Sequence, residues 1–194
     1  MSNTTNTPVT RVMLRNVRLA FPNLFEPRVD ADTGRKSYGA TLILPADHPQ
    51  IAEIEAAMDA AGKGKWADKW AVTKKGLEKQ DRMALHDGDT KAKYDGFEGN
   101  LFVNANCNEN TPPTVVDQSR APLNKSSGKP YAGCYVNASV EFWAQKDHPK
   151  GGSRINAQLR GVQFFKDGDS FSAGRPADAD EFDAVEGGDA GDFA

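Results

Sequence analysis

The longest unbroken periodicity in the chain runs from Tyr131 to Gln145, YAGCYVNASVEFWAQ. Ala132, Cys134, Val136, Ala138, Val140, Phe142 and Ala144 share one parity and are all apolar, while Tyr131, Gly133, Tyr135, Asn137, Ser139, Glu141 and Trp143 share the other. Successive side chains of a strand project to opposite faces, so this pattern calls for a long strand with one buried face and one face of aromatics set among polar groups. An aromatic on an open sheet face is a platform for an unpaired base, and Asn or Ser beside it can hydrogen-bond that base without demanding one sequence. The competing reading is that Tyr135 and Trp143 lie beneath a loop or helix, as most large aromatics do.

Four further β-segments accompany it. RVMLRNVRLAF, Arg11 to Phe21, is rich in β-formers and basic residues, and the Pro-containing basic loop with Arg28, Arg35 and Lys36 leads to SYGATLILP, closed by Pro45. LFVNAN places Leu101, Val103 and Ala105 on one face and Phe102, Asn104 and Asn106 on the other, repeating the combination of aromatic and amide. In INAQLRGVQFF the apolar parity slips at Gly161, which predicts a β-bulge that curls the sheet toward closure. Between the second and third of these strands, residues 47–82 form a helical insertion. Asp47 to Ala61 reads as a helix with Asp47 as N-cap and Gly62 as its end. Trp66 and Trp70 are four apart and share a helical face, either packed on the sheet or turned outward to nucleic acid. The long connection before Tyr131 has one short β-segment at Thr114 to Val116 and is basic and Ser/Gly-rich.

The expected fold is therefore mainly β: a five-stranded OB-like barrel over residues 11–173, with a helical insertion, a flexible segment 1–10 and an acidic disordered tail over 174–194. A mean hydropathy of −0.63 agrees with part of the chain staying unfolded. Charge is divided in the same way. Residues 177–194 carry seven acids and no Lys or Arg, a tail of −7, which leaves 24 basic against 20 acidic residues in the remainder. Cys107 and Cys134 with His48, His86 and His148 show no zinc spacing, so neither a metal nor another cofactor is expected. No apolar run is long enough to cross a bilayer and MSNTTNTPVT lacks a signal-peptide pattern, so a soluble, unexported protein, not bound to membrane, is expected.

ALHDGD, EGNLFVNAN, PPTVVD, GCYVNASVEFWA and QLRGVQFFKDGDSF together resemble a phage-encoded family of OB-fold single-stranded DNA-binding proteins. The resemblance covers roughly Arg11 to Ser172 and implies coating and protection of single-stranded DNA in phage replication and recombination, in the cytoplasm of the bacterial host, with no enzymatic activity. ADADEFDAVEGGDAGDFA is similar to the acidic C-terminal tails of bacterial and short-tailed-phage single-stranded DNA-binding proteins. That similarity implies docking of replication or recombination proteins through Asp189, Asp192 and Phe193. Phe193 here is penultimate, a departure from those tails.

The expected contacts follow from residue chemistry. Tyr135, Trp143 and Phe102 would stack bases, Asn104 and Asn137 would supply polar contacts, and Arg15, Arg18, Lys125, Lys129, Arg154 and Arg160 would neutralise phosphates. Two rival functions share the barrel: a metal-dependent nuclease using Asp87, Asp89, Asp167 and Asp169, and a virion or host-interaction protein that binds no DNA. The D-G-D motif is first of all a turn signal. A homodimer through an unpaired edge strand is compatible with the sequence.

Overall fold

In the computed structural model, residues 9–171 are described, so the tail positions Asp189, Asp192 and Phe193 lie outside the described residues. Seven strands occur: β1 (Arg11–Val29), β2 (Lys36–Pro45), β3 (Leu85–Asp87), β4 (Asn100–Asn108), β5 (Thr114–Val116), β6 (Tyr135–His148) and β7 (Gly152–Lys166). Two helices, α1 (Ile51–Trp66) and α2 (Trp70–Lys79), fill the interval between β2 and β3. The sheet runs β3-β4-β2-β1-β6-β7-β5, and a parallel β4–β7 pairing at Ala105↔Ala157 and Asn106↔Gln158 closes β1, β2, β4, β6 and β7 into a barrel. Those five strands with one parallel seam form the OB-like barrel expected from the alternation.

β1 serves two neighbours because it is broken twice. Its first half pairs with β6, with a register shift between Leu14 and Val17, and its second half pairs with β2, with shifts between Ala20, Asn23 and Arg28. Sequence reading ends this strand at Phe21, but it continues to Val29 through Pro22 and Pro27. Both prolines fall in the register breaks, where no ladder N–H is required, so neither interrupts the strand. In β7 the bulge stands where Gly161 foretells it: Ser139 pairs with Gly161 and Val140 with Leu159, leaving Arg160 as the extra residue.

The barrel interior follows the parity of β6. Val136, Ala138, Val140 and Phe142 are buried, with Leu14, Leu19, Leu42, Val103 and Leu159 from the facing strands. α1 begins at Ile51, not beside Asp47, and continues past Gly62 to Trp66. Gly62 is no terminator: a Cβ there would stand 2.5 Å from the Trp70 indole, so the missing side chain is what lets the second helix lie against the first. Trp66 and Trp70 stack at 5.5 Å between centroids and are both buried, and Trp70 Nε1 donates to Asp59 Oδ1 at 3.1 Å. They do not share one helical face as their spacing suggests, since Trp66 ends α1 and Trp70 opens α2, but both rings belong to the core.

Candidate nucleic-acid interface

The barrel seam opens into a groove of about 1050 Å³. Its floor is the outward face of β4 and β7, with Asn104, Asn106, Asn156 and Gln158 among its lining residues. One rim is the β1–β2 loop with Asp30, Thr33 and Arg35; the other is the β6–β7 turn with His148, Lys150 and Gly151. The segment after α2 adds Asp81, Arg82 and His86. The face beside the third barrel strand, flanked by the first and last hairpin loops, is the surface on which OB folds take oligonucleotides.

Local geometry holds both rims. Asp30 Oδ1 accepts from Thr33 Oγ1 at 2.6 Å and Thr33 N at 2.8 Å, and the Thr33 hydroxyl is the main reason its carboxyl sits below the usual value. Arg35 donates to Asn108 Oδ1 at 2.9 Å, which orients the guanidinium without neutralising it. Arg82 donates to Gly151 O at 3.0 Å and its own carbonyl accepts from Ile155 N at 3.0 Å, so the chain leaving the helices braces the β6–β7 turn. On the floor, Asn104 Oδ1 accepts from Thr41 Oγ1 at 2.7 Å. Asn106 lies across Gly39, where any Cβ would collide with its side chain and stand 2.8 Å from Ala105 O. Trp143 pairs across strands with Asn156 and is 43% exposed, against 8% for Trp66 and 4% for Trp70. Arg154 Nε and Asn156 Nδ2 are shielded from solvent and have no hydrogen-bond acceptor among the described residues.

Of the eleven residues that sequence reading assigns to binding, the structure brings Trp143, Asn104 and Arg154 to this groove. Phe102 does point to the outer face, but the turn-rich segment before β4 folds over it: the residue is 3% exposed, its ring edge-on to Phe97 at 5.2 Å and stacked on His86 at 5.1 Å. It cannot receive a base there. Tyr135 stands at the opposite end of β6, half-buried between Lys166 Nζ at 4.6 Å and the Arg18 guanidinium at 5.7 Å. Asn137 is occupied by Asn16 N at 3.0 Å and Gln163 Oε1 at 3.1 Å.

Most of the other expected phosphate ligands are engaged within the fold. Arg18 donates to Gly133 O and Asp169 O at 3.1 and 2.9 Å beneath Phe171. Lys125 pairs with Glu26 at 2.7 Å, Lys129 with Asp167 at 3.1 Å and Arg160 with Glu141 at 2.6 Å. Arg15 is exposed on the β1 bulge, where its N–H donates to Gln50 Oε1, and lies outside the groove lining. In their place the groove takes Arg35, Arg82 and Lys150, with Asn106, Asn156 and Gln158 on the floor. Arg35 and Lys150 stand in the two basic loops of the sequence, and Asn156 and Gln158 occupy the polar parity of INAQLR; those were the available signals.

Three of the four carboxylates of the nuclease reading are engaged within the fold. Asp87 Oδ1 accepts from Asp89 N at 3.0 Å, Asp89 Oδ1 from Gly99 N at 2.8 Å, and Asp167 from Lys129 and Tyr131. Among the described residues no three His, Cys, Asp or Glu side chains gather as a metal site.

A family model described as the single-stranded DNA-binding protein of Enterobacter phage Enc34 matches residues 10–194, nearly the whole chain. The chain belongs to that family. A protein named p50 from Acyrthosiphon pisum secondary endosymbiont phage 1 is 41% identical over 176 residues, covering 89% of this chain and 92% of that one. The bacteriophage Enc34 single-stranded DNA-binding protein, solved in complex with single-stranded DNA, superposes with a TM-score of 0.69 at 26% identity, covering 84% of this chain and 90% of that chain. The gp2.5 single-stranded DNA-binding protein of bacteriophage T7 gives a TM-score of 0.56 at 12% identity over 87% of this chain and 98% of its own, a likeness of fold alone.

Proposed function

We propose that this protein binds single-stranded DNA in the groove at the β4–β7 seam, coating and protecting it inside the infected bacterial cell during phage replication and recombination. The observation that carries the reading is the coincidence of an exposed Trp143 with Arg35, Arg82, Lys150 and Arg154 around one groove, on the OB-barrel face flanked by two loops. The cations neutralise phosphates and release counterions, which supplies affinity without sequence preference. A base stacked on Trp143 adds roughly 1–3 kcal/mol, again for any base. Binding alone accounts for this function, and no catalytic step is invoked.

The test is quenching of tryptophan fluorescence by an oligothymidine. Trp66 and Trp70 are sealed in the core, so the groove reading requires the quench to arise from Trp143. Trp143→Phe should abolish the quench while binding, followed by anisotropy of a labelled oligomer, persists at lower affinity. A quench that survives Trp143→Phe, or binding indifferent to salt, would refute it.

A further inference from the structure

Granted a single strand in the groove, we propose that the helical insertion carries a second phosphate-binding surface. Lys69, Lys75 and Lys79, on the outer side of α2, take the backbone of the strand where it leaves the groove beside Arg82.

The insertion is strongly one-signed. From Lys63 to Arg82 the chain has seven Lys or Arg and three acids. Only Lys74 meets a carboxylate there, Asp59 Oδ1 at 2.9 Å and Glu78 Oε1 at 4.0 Å. Lys69, Lys75 and Lys79 are exposed and have no ion-pair partner among the described residues. A solvated helix face ordinarily intersperses both signs, whereas a strip of one sign sets up a field that gathers phosphate.

The lysines also form a strip. Trp70 and Leu77 turn α2 to the core, and Lys69, Val72, Lys75 and Lys79 are exposed at the three- and four-residue spacings that put side chains on one helix face. Trp70 Nε1 donates to Asp59 Oδ1 at 3.1 Å and Lys74 pairs with the same carboxylate, so α2 is clamped to α1 and the strip stands on a rigid support. Val72, 79% exposed, is the one large apolar residue in it, and the nearby Trp66 and Trp70 are buried. The strip therefore offers charge without a stacking platform.

Its lower end meets the groove. Arg82 follows Lys79 by three residues, a span of at most about 11 Å. Arg82 N donates to Leu77 O at 2.9 Å, which folds the chain back on the helix end, while its guanidinium donates to Gly151 O at 3.0 Å and lines the groove. The acidic segment 177–194 has the same sign as DNA and is the rival occupant. Continuity with the groove favours the strand, which needs only to run on past Arg82.

The test uses the full chain and two oligothymidines of roughly 6 and roughly 14 nucleotides, both within the span of one OB domain, with the shorter filling the groove alone. Four groove cations give the shorter a log-log salt slope of about −2.8, and three more give the longer about −4.9. Lys69→Gln/Lys75→Gln/Lys79→Gln should return the longer oligomer to about −2.8, so that a tenfold rise in salt costs it roughly 100-fold less than it costs wild type. The same variant should keep the wild-type affinity for the shorter oligomer and the wild-type tryptophan quench, which also shows that it is folded. Equal wild-type slopes for the two lengths, or a longer-oligomer slope that stays steep in the variant, would overturn the inference and leave the groove assignment standing. An equal loss for the shorter oligomer would overturn it too, since the lysines would then act on the groove itself. A gain in affinity would hand the strip to segment 177–194 and overturn it likewise. Indifference of the shorter oligomer to Lys150→Gln/Arg154→Gln would sink the groove reading and this inference with it.

Discussion

Replacing Lys150 and Arg154 by glutamine removes two of the four Lys and Arg side chains that line the groove. None of those four is in an ion pair among the described residues; Arg35 and Arg82 donate only to neutral oxygens. If each meets one phosphate, about four counterions are released and log K falls against log salt with a slope of about −2.8. A tenfold rise in salt then weakens wild-type binding by about 600-fold. With two cations left the slope is about −1.4 and the same rise costs about 25-fold. The assay is anisotropy of a labelled oligothymidine across a tenfold range of salt. Lys125→Gln and Lys129→Gln serve as controls, because those ammonium groups already face Glu26 and Asp167 and lie outside the groove lining. An unchanged slope in the Lys150→Gln/Arg154→Gln variant, or an equal reduction in the controls, would refute the reasoning.

Gly62→Ala forces a methyl against the Trp70 indole at 2.5 Å and should destabilise the fold by about 1–3 kcal/mol, seen as a lower thermal midpoint with DNA affinity retained at low temperature. Glu141 is held below its ordinary value of 4.5, first by the hydrogen bond from Arg160 and then by Arg11. A depressed folded-state pKa gives stability that is complete above the unfolded value and lost as pH falls through the folded one. Glu141→Gln should therefore cost up to about 1 kcal/mol at neutral pH, and thermal midpoints of the two proteins should converge in acid below 4.5; a gap that widens there would contradict the pairing. Deleting residues 177–194 removes a charge of −7 from the chain and should raise single-strand affinity at low salt, with the difference vanishing at high salt; equal affinities at low salt would exclude competition between tail and DNA.

Much of the scaffold was legible because it follows from contacts between near neighbours in the chain. The two parities of β6 sort its buried and outward residues correctly from Val136 to Trp143. Gly161 marks the β7 bulge, whereas Trp66 and Trp70, read as one helical face, stack across the junction of two helices. Local spacing was silent on which side of the protein those two rings face, and Gly62 read as a helix end until the second helix was seen lying upon it.

The site is where distant parts of the chain intervene. Arg, Lys and aromatic residues look alike in a one-dimensional reading whether free or engaged. Lys125 is engaged because Glu26, 99 positions away, arrives beside it, and Arg18 because Gly133 and Asp169 close over it. Phe102 points outward as its parity requires and is covered by Phe97 from the turn just before β4 and by His86 from β3. Alternation along one strand thus sets which way each side chain points, since that direction is a property of the local backbone. Whether the side chain then meets water, a counter-charge or a covering ring depends on barrel closure, which joins residues far apart in sequence and leaves Trp143 and the groove cations accessible.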